Sequence, residues 1–272
     1  MAVDTFTASD GIRLAYYVDD YTDPWRQADT LLLLHAAVGH AKRFYAWVPG
    51  LCRHYRVVRL DLRGHGASEV PPETSTLDMD RLVADVSELL AHVGVGSCHI
   101  VGNSAGGYIA QNLAMTSPEK VKSLMLFGST AGLKNSQAAS WIPRIAKEGL
   151  RTFFAATIAD RLPLDKVPKG LVDWFVDETG KNDPAWIARF VGLMSSLEWS
   201  DQVGRIKCPT LLVIPGNETV GSIRNYDAMI ERIPDVAAIS YEGLPHNICD
   251  AVPDRCVADV IAFLRWRFGL PA

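Results

Sequence analysis

The stretch Cys98-His99-Ile100-Val101-Gly102-Asn103-Ser104-Ala105-Gly106-Gly107 decides how this chain folds. Its first half is an apolar run of strand length, and beyond it Ile109, Leu113 and Ala114 recur at helix spacing. Between them stands G-x-S-x-G. The small residues at 102, 106 and 107 let the chain turn tightly from strand to helix, so that Ser104 projects beyond the strand with its hydroxyl free. The N-terminus of the following helix aims partial positive charge at the same place. Ser104 is therefore the candidate nucleophile.

Further strand-like runs lie on both sides of this turn. Thr5 to Ala8 and Ile12 to Val18 flank Asp10-Gly11, a dipeptide suited to a tight hairpin. Continuous apolar runs follow at Thr30 to Leu34, Val57 to Leu60, Val121 to Phe127 and Thr210 to Ile214, as expected of strands covered on both faces. A last strand is expected at Ala237 to Tyr241. Leu82, Val83, Val86, Leu89, Leu90 and Val93 mark an amphipathic helix between strands. Alternating strand and helix predict a mostly parallel, doubly wound α/β sheet. The rhythm breaks at Gly132 to Gln202, a segment rich in Trp and Phe. The expected organisation is a core of residues 1–131 and 203–272 with a helical cap of residues 132–202 inserted into it.

Composition narrows the partners. Apolar residues make up 48% and charged residues 21% of the chain, and the net charge is −4 with Lys and Arg scattered. No basic stripe is available to collect phosphates, so nucleic acid is not expected. No apolar run has membrane length, and no signal-peptide pattern opens the chain, which makes a cytoplasmic protein with no membrane association the default. Five dispersed cysteines lack zinc-site or C-x-x-C spacing and read as reduced thiols. A homodimer is left open.

A serine hydroxyl near neutral pH needs a base, and the base needs an orienting carboxylate. His246, in Gly243-Leu244-Pro245-His246-Asn247 after the last expected strand, is the candidate base. Asp61-Leu62-Arg63-Gly64-His65-Gly66-Ala67-Ser68 also combines Asp, Arg and His, but its glycines read as turn formers and it is taken as structural.

With Leu31-Leu32-Leu33-Leu34-His35-Ala36-Ala37-Val38-Gly39 after one strand, Asp61 to Ser68 after the next, the Ser104 elbow and the late His246, the chain resembles the α/β-hydrolase family, serine hydrolase branch, over nearly its whole length. It looks most similar to 3-oxoadipate enol-lactonase-like esterases and lactonases. That resemblance implies an α/β-hydrolase fold and an acyl-enzyme route with no metal or organic cofactor. It implies oxyanion donors at the backbone N–H groups of Ala37 and Ala105. The acid departs from the family's usual G-x-x-D: counting from Gly216 reaches Thr219, whereas counting from Pro209 places Glu218 on the acid position. Glu218 is the expected acid, with Asp227 and Asp250 as alternatives. His35, Ala36, Trp141, Phe154, Trp174 and Met194 are the expected substrate contacts. The expected activity is cleavage of a small carboxylic ester or lactone. Hydrolysis of a C–C bond in vinylogous diketones is the alternative, suggested by Asn103 and the glycine pair, and a cofactor-free oxygenase or a ligand receptor on the same fold stands behind it.

Overall fold

The computed structural model describes residues 3–134, 136–221 and 223–269. Eight strands form one sheet: β1 (Asp4–Thr7), β2 (Arg13–Asp19), β3 (Thr30–Leu34), β4 (Arg56–Leu60), β5 (Cys98–Asn103), β6 (Val121–Phe127), β7 (Thr210–Pro215) and β8 (Val236–Tyr241). Their order is β1-β2-β4-β3-β5-β6-β7-β8. Only the β1–β2 and β2–β4 pairs are antiparallel. The hairpin expected at Asp10-Gly11 is present, with Gly11 at φ 87° and Gly11 N–H bonded to Ala8 C=O at 2.8 Å.

Ten α-helices accompany the sheet among the described residues: α1 (Val48–Leu51), α2 (Met79–His92), α3 (Ala105–Thr116), α4 (Ala138–Glu148), α5 (Leu150–Ala156), α6 (Lys169–Gly180), α7 (Pro184–Ser196), α8 (Asn225–Arg232), α9 (Ile248–Ala251) and α10 (Pro253–Phe268). The central strands are buried on both faces because side chains alternate along a strand. Leu32 and Leu34 of β3 join one core with Leu82 and Val86 of α2 and Ile109 and Leu113 of α3. Leu31 and Leu33 join the opposite core with Leu51 of α1 and Val260 and Leu264 of α10. The edge strand β8 alternates between partly covered and exposed residues until Tyr241, since only one of its faces meets a helix layer.

Helices α4 to α7 all lie between β6 and β7, and the two ends of this insertion run side by side. Leu133 N–H and Lys134 N–H reach Leu197 C=O, and Trp199 N–H reaches Ala131 C=O at 2.9 Å. The insertion is anchored over the ends of the parallel strands. Trp186 of α7 is stacked into the space where a side chain at Gly64 would stand, and Phe190 meets the His65 ring edge-on at 4.8 Å. The Asp61–Ser68 turn thus forms a seat for the insertion. Asp61 holds the turn together by accepting from Ala41 N–H at 2.6 Å and Ala67 N–H at 2.9 Å. No helix among the described residues is long and apolar enough to cross a membrane.

Candidate active site

Ser104 occupies the tip of the turn between β5 and α3 with φ 49° and ψ −114°. Among the described residues only Val38 shares a positive φ without being glycine. Such a backbone costs roughly 1–3 kcal/mol and persists only where surrounding contacts enforce it. The contacts here are specific. Ser104 N–H donates to Phe127 C=O at 2.9 Å, and Ser104 C=O accepts from Ser129 Oγ at 2.6 Å and from Gly107 N–H at 2.8 Å. A Cβ at Gly106 would lie 2.3 Å from the Leu34 carbonyl oxygen, so α3 can approach β3 this closely only with glycine there.

His246 enters from the loop after β8. Its Nε2 lies 3.0 Å from Ser104 Oγ, and its Nδ1 lies 2.8 Å and 3.0 Å from the two carboxylate oxygens of Glu218. Two backbone bonds bring the loops after β7 and β8 together: Gly216 N–H to Tyr241 C=O and Asn217 N–H to Leu244 C=O, both at 3.0 Å. Glu218 Oε1 also accepts from Val220 N–H at 2.8 Å and Gly221 N–H at 3.0 Å. Burial alone would push the Glu218 carboxyl up, but His246 and these two amides outweigh it and hold it below its ordinary value of 4.5. The carboxylate is therefore ionised at neutral pH. With Nδ1–H donated to it, Nε2 carries the free lone pair facing Ser104.

The alternative acids lie elsewhere. Asp250 forms a buried bidentate pair with Arg43, at 2.7 Å from Nε and 2.6 Å from Nη2. Asp227 is an exposed residue of α8.

The loop after β3 faces Ser104 from the other side. Neither Ala37 N–H nor Ala105 N–H has a protein acceptor among the described residues. The loop is fixed by Gly39 N–H to Ala36 C=O at 3.0 Å, by the positive φ of Val38, and by Asn182 Nδ2 of the insertion, which donates to Val38 C=O at 2.9 Å.

Above Ser104 lies a cavity of about 50 Å³. Of the residues expected to touch substrate, Ala36, Trp141 and Phe154 line it, and so does Ala37. Three expected contacts do not. His35 is sealed beneath the loop, where its Nε2 accepts from Leu62 N–H at 2.9 Å and its Nδ1 donates to Ala36 C=O at 2.8 Å. Burial and the neighbouring His65 hold it well below the usual histidine range, so it is a neutral prop for the loop. Trp174 packs edge-on against His40 and Tyr45, because one residue along α6 turns the side chain through roughly 100° and brings Phe175 to the cavity instead. Met194 is buried in the packing of the insertion, and Val191, one turn earlier on α7, takes the lining position.

The remaining lining residues were not legible in the sequence. Val38, Val220 and Asn247 also line the cavity, and Arg161 adds a cation to a wall that is apolar apart from Ser104, His246 and Asn247. Arg161 is 3% exposed. Its Nη1 donates to Thr157 C=O and Thr157 Oγ1, both at 2.9 Å, and its guanidinium lies 4.4 Å from the Phe154 ring centre and 5.0 Å from that of Trp141. Burial lowers its pKa to about 10, with Asp160 and Glu218 opposing the shift, so it stays cationic at neutral pH. Among the described residues no three His, Cys, Asp or Glu side chains converge as metal ligands. A larger hollow of about 310 Å³ opens between the Asp61–Ser68 turn and α6, but it contains neither Ser104 nor His246.

A sheet of this topology, carrying a serine elbow that meets a late histidine, defines a class of proteins, and the chain belongs to it: residues 29–250 match the alpha/beta hydrolase fold family. A non-heme chloroperoxidase from Streptomyces lividans is 28% identical over 236 residues, covering 79% of this chain and 83% of that protein. A pimeloyl-[acyl-carrier protein] methyl ester esterase from Nitrosospira multiformis is 22% identical over 90% of this chain and 98% of its own. Some matches are partial; the chain spans 47% of a putative 2-succinyl-6-hydroxy-2,4-cyclohexadiene-1-carboxylate synthase from Bacillus subtilis, at 30% identity over 49% of this chain. Among solved structures, a hydrolase from Pseudomonas aeruginosa superposes with a TM-score of 0.86 at 28% identity, covering 96% of this chain and 98% of that one. An enol-lactonase from Burkholderia xenovorans shares the fold with a TM-score of 0.86 at 20% identity, covering 96% and 99%.

Proposed function

We propose that the protein hydrolyses a small carboxylic ester or lactone through an acyl-enzyme, with Ser104 as nucleophile, His246 as base and Glu218 as the carboxylate that orients it. The observation that carries this reading is the continuous contact from Ser104 Oγ through the His246 ring to Glu218. Ser104 attacks the carbonyl carbon while its proton passes to His246 Nε2. The imidazolium formed is stabilised by Glu218, which keeps its own proton off. The oxyanion of the tetrahedral intermediate takes the N–H groups of Ala37 and Ala105, which need no reorganisation to receive it. His246 then protonates the departing alkoxide, or the freed alcohol end of an opened lactone. Water, deprotonated by the same nitrogen, attacks the acyl-enzyme and releases the acid with Ser104 restored.

Esterase and enol-lactonase relatives of the same fold support the reaction class. The cavity supports the size: about 50 Å³ holds a few heavy atoms, so the acyl group is short or the helices over it move outward. The reading is tested with short-chain p-nitrophenyl esters, simple enol lactones and a fluorophosphonate probe. Turnover together with labelling that disappears in Ser104→Ala is the expected result. No product from either substrate class and an unlabelled Ser104 would overturn it.

A further inference from the structure

Arg161 is buried at the wall of the cavity that holds Ser104 and His246, yet no carboxylate lies within ion-pair distance of it among the described residues. Among the described residues every other buried arginine meets an acid: Arg43 meets Asp250, Arg59 meets Asp19, and Arg63 meets Asp85 and Asp10. Asp160 and Glu218 act on Arg161 only from beyond ion-pair distance, and a buried cation with no directly paired acid is costly to the fold, so that proteins ordinarily remove or pair one. Only Nη1 of Arg161 is engaged, by Thr157 at the end of α5. Nε and Nη2 have no protein partner among the described residues. That edge of the guanidinium presents two parallel N–H donors, the geometry that a planar two-oxygen anion satisfies. The aromatic rings of Trp141 and Phe154 flank the guanidinium and restrict where it can point. Apart from Ser104, His246 and Asn247 the rest of the wall is apolar, so an anion reaching Arg161 would meet it in a weakly screened setting.

The position is also tied to the reacting groups. Arg161 C=O accepts from Asn247 N–H at 3.0 Å, and Asp160 C=O accepts from His246 N–H at 3.4 Å. The segment that carries the cation is thus bonded to the segment that carries the base.

We propose that Arg161 is the counter-ion for an ionised carboxylate carried by the substrate, so that the substrate is a short ester or lactone that is also a carboxylic acid. This rests on the ester or lactone reading above and adds a substrate-binding residue to it. Arg161 neither donates nor accepts a proton in the reaction. It selects the acid and sets the distance between the carboxylate and the carbonyl under attack.

The test compares the methyl hemiesters of succinate and glutarate with neutral methyl esters in which an isopropyl group replaces the free carboxylate. A charge-assisted bond lost from one partner corresponds to about 10- to 100-fold. The wild type is expected to favour the hemiester by about that factor in kcat/KM, Arg161→Met to bring the ratio near unity, and Arg161→Lys to restore part of it. A wild-type ratio near unity overturns the proposal, as does a ratio that Arg161→Met leaves intact. An equal loss on both ester types would mean that Arg161 only supports the wall. Calorimetric binding of the hemiesters to Ser104→Ala, with and without Arg161→Met, separates this from the hydrolase reading. Arg161-dependent binding without wild-type turnover would overturn hydrolysis and leave the carboxylate site standing. Turnover of neutral esters with no hemiester binding would do the reverse.

Discussion

Exchange of Glu218 for Gln replaces one carboxylate oxygen by an NH₂ group and discriminates sharply between an orienting acid and a solvated loop residue. Oε1 of Glu218 accepts from two backbone amides as well as lying 3.0 Å from His246 Nδ1. A glutamine must keep its carbonyl oxygen on those amides, because turning its NH₂ toward them leaves buried donors opposed, at about 1–3 kcal/mol each. Its NH₂ group then occupies the place of Oε2, which lies 2.8 Å from Nδ1. Nδ1 can meet a donor only as an acceptor, so the ring proton moves to Nε2 and points at Ser104 Oγ. A histidine in that tautomer cannot take the serine proton. The expected loss is about 10⁴-fold in kcat, or about 5 kcal/mol, with KM little changed. Steady-state kinetics on a p-nitrophenyl ester, together with the rate of fluorophosphonate labelling, measures both the turnover and the nucleophile. Glu218→Asp, which retracts the carboxylate by one methylene, should recover part of the rate. Retention of more than about a tenth of kcat in Glu218→Gln, or an equal loss in Asp227→Ala, would refute the reasoning.

Other outcomes follow from the same contacts. Asp250→Ala leaves Arg43 buried without its acid and should cost about 3–5 kcal/mol, read as a fall of about 6–20 °C in Tm, while the folded enzyme keeps far more kcat than Glu218→Gln. Arg161→Met should raise Tm, by about 2–4 °C for each kcal/mol of buried charge removed. The sign follows from its folded pKa of about 10, which lies below the ordinary 12.5. Both states are protonated at neutral pH, so the cost of the charge is fully present there and fades only as pH rises above about 10. The Glu218 carboxyl is shifted the opposite way for stability: held below 4.5 in the fold, it stabilises at neutral pH and loses that contribution as acid protonates it. Denaturant titrations should therefore show Glu218→Gln less stable than wild type at neutral pH, with the gap closing as acid takes the pH well below the ordinary carboxyl value of 4.5. Gly106→Ala should destabilise strongly, since its methyl group would collide with the Leu34 carbonyl, which belongs to a central strand and cannot move aside.

The strand-turn-helix around Ser104 was legible because its signals are local in sequence: an apolar strand, glycines at the turn, and helix periodicity immediately after; the bonds from Phe127 and Ser129 that hold the Ser104 backbone were not. The order of alternating strands and helices carried the doubly wound sheet for the same reason. His246 could be singled out by its place after the last strand, and Glu218 by its register from Pro209. Their meeting with Ser104 is a different matter. It depends on two loops far apart in the chain being bonded to each other at Gly216 and Asn217, and on Arg43 engaging Asp250 elsewhere. Composition and spacing carry no record of which carboxylate a distant arginine has taken. The wall of the cavity was less legible still. Aromatic residues of the insertion serve its own packing as well as the cavity, and a rotation of one residue along α6 decides between Trp174 and Phe175. Arg161, in a short irregular segment between helices, has no periodic signal at all. Local pattern in the sequence determined the sheet, the elbow and the candidates for the reacting groups. The pairing of buried charges and the facing of the inserted helices were decided only by tertiary packing, because both are settled by which distant surfaces exclude water together.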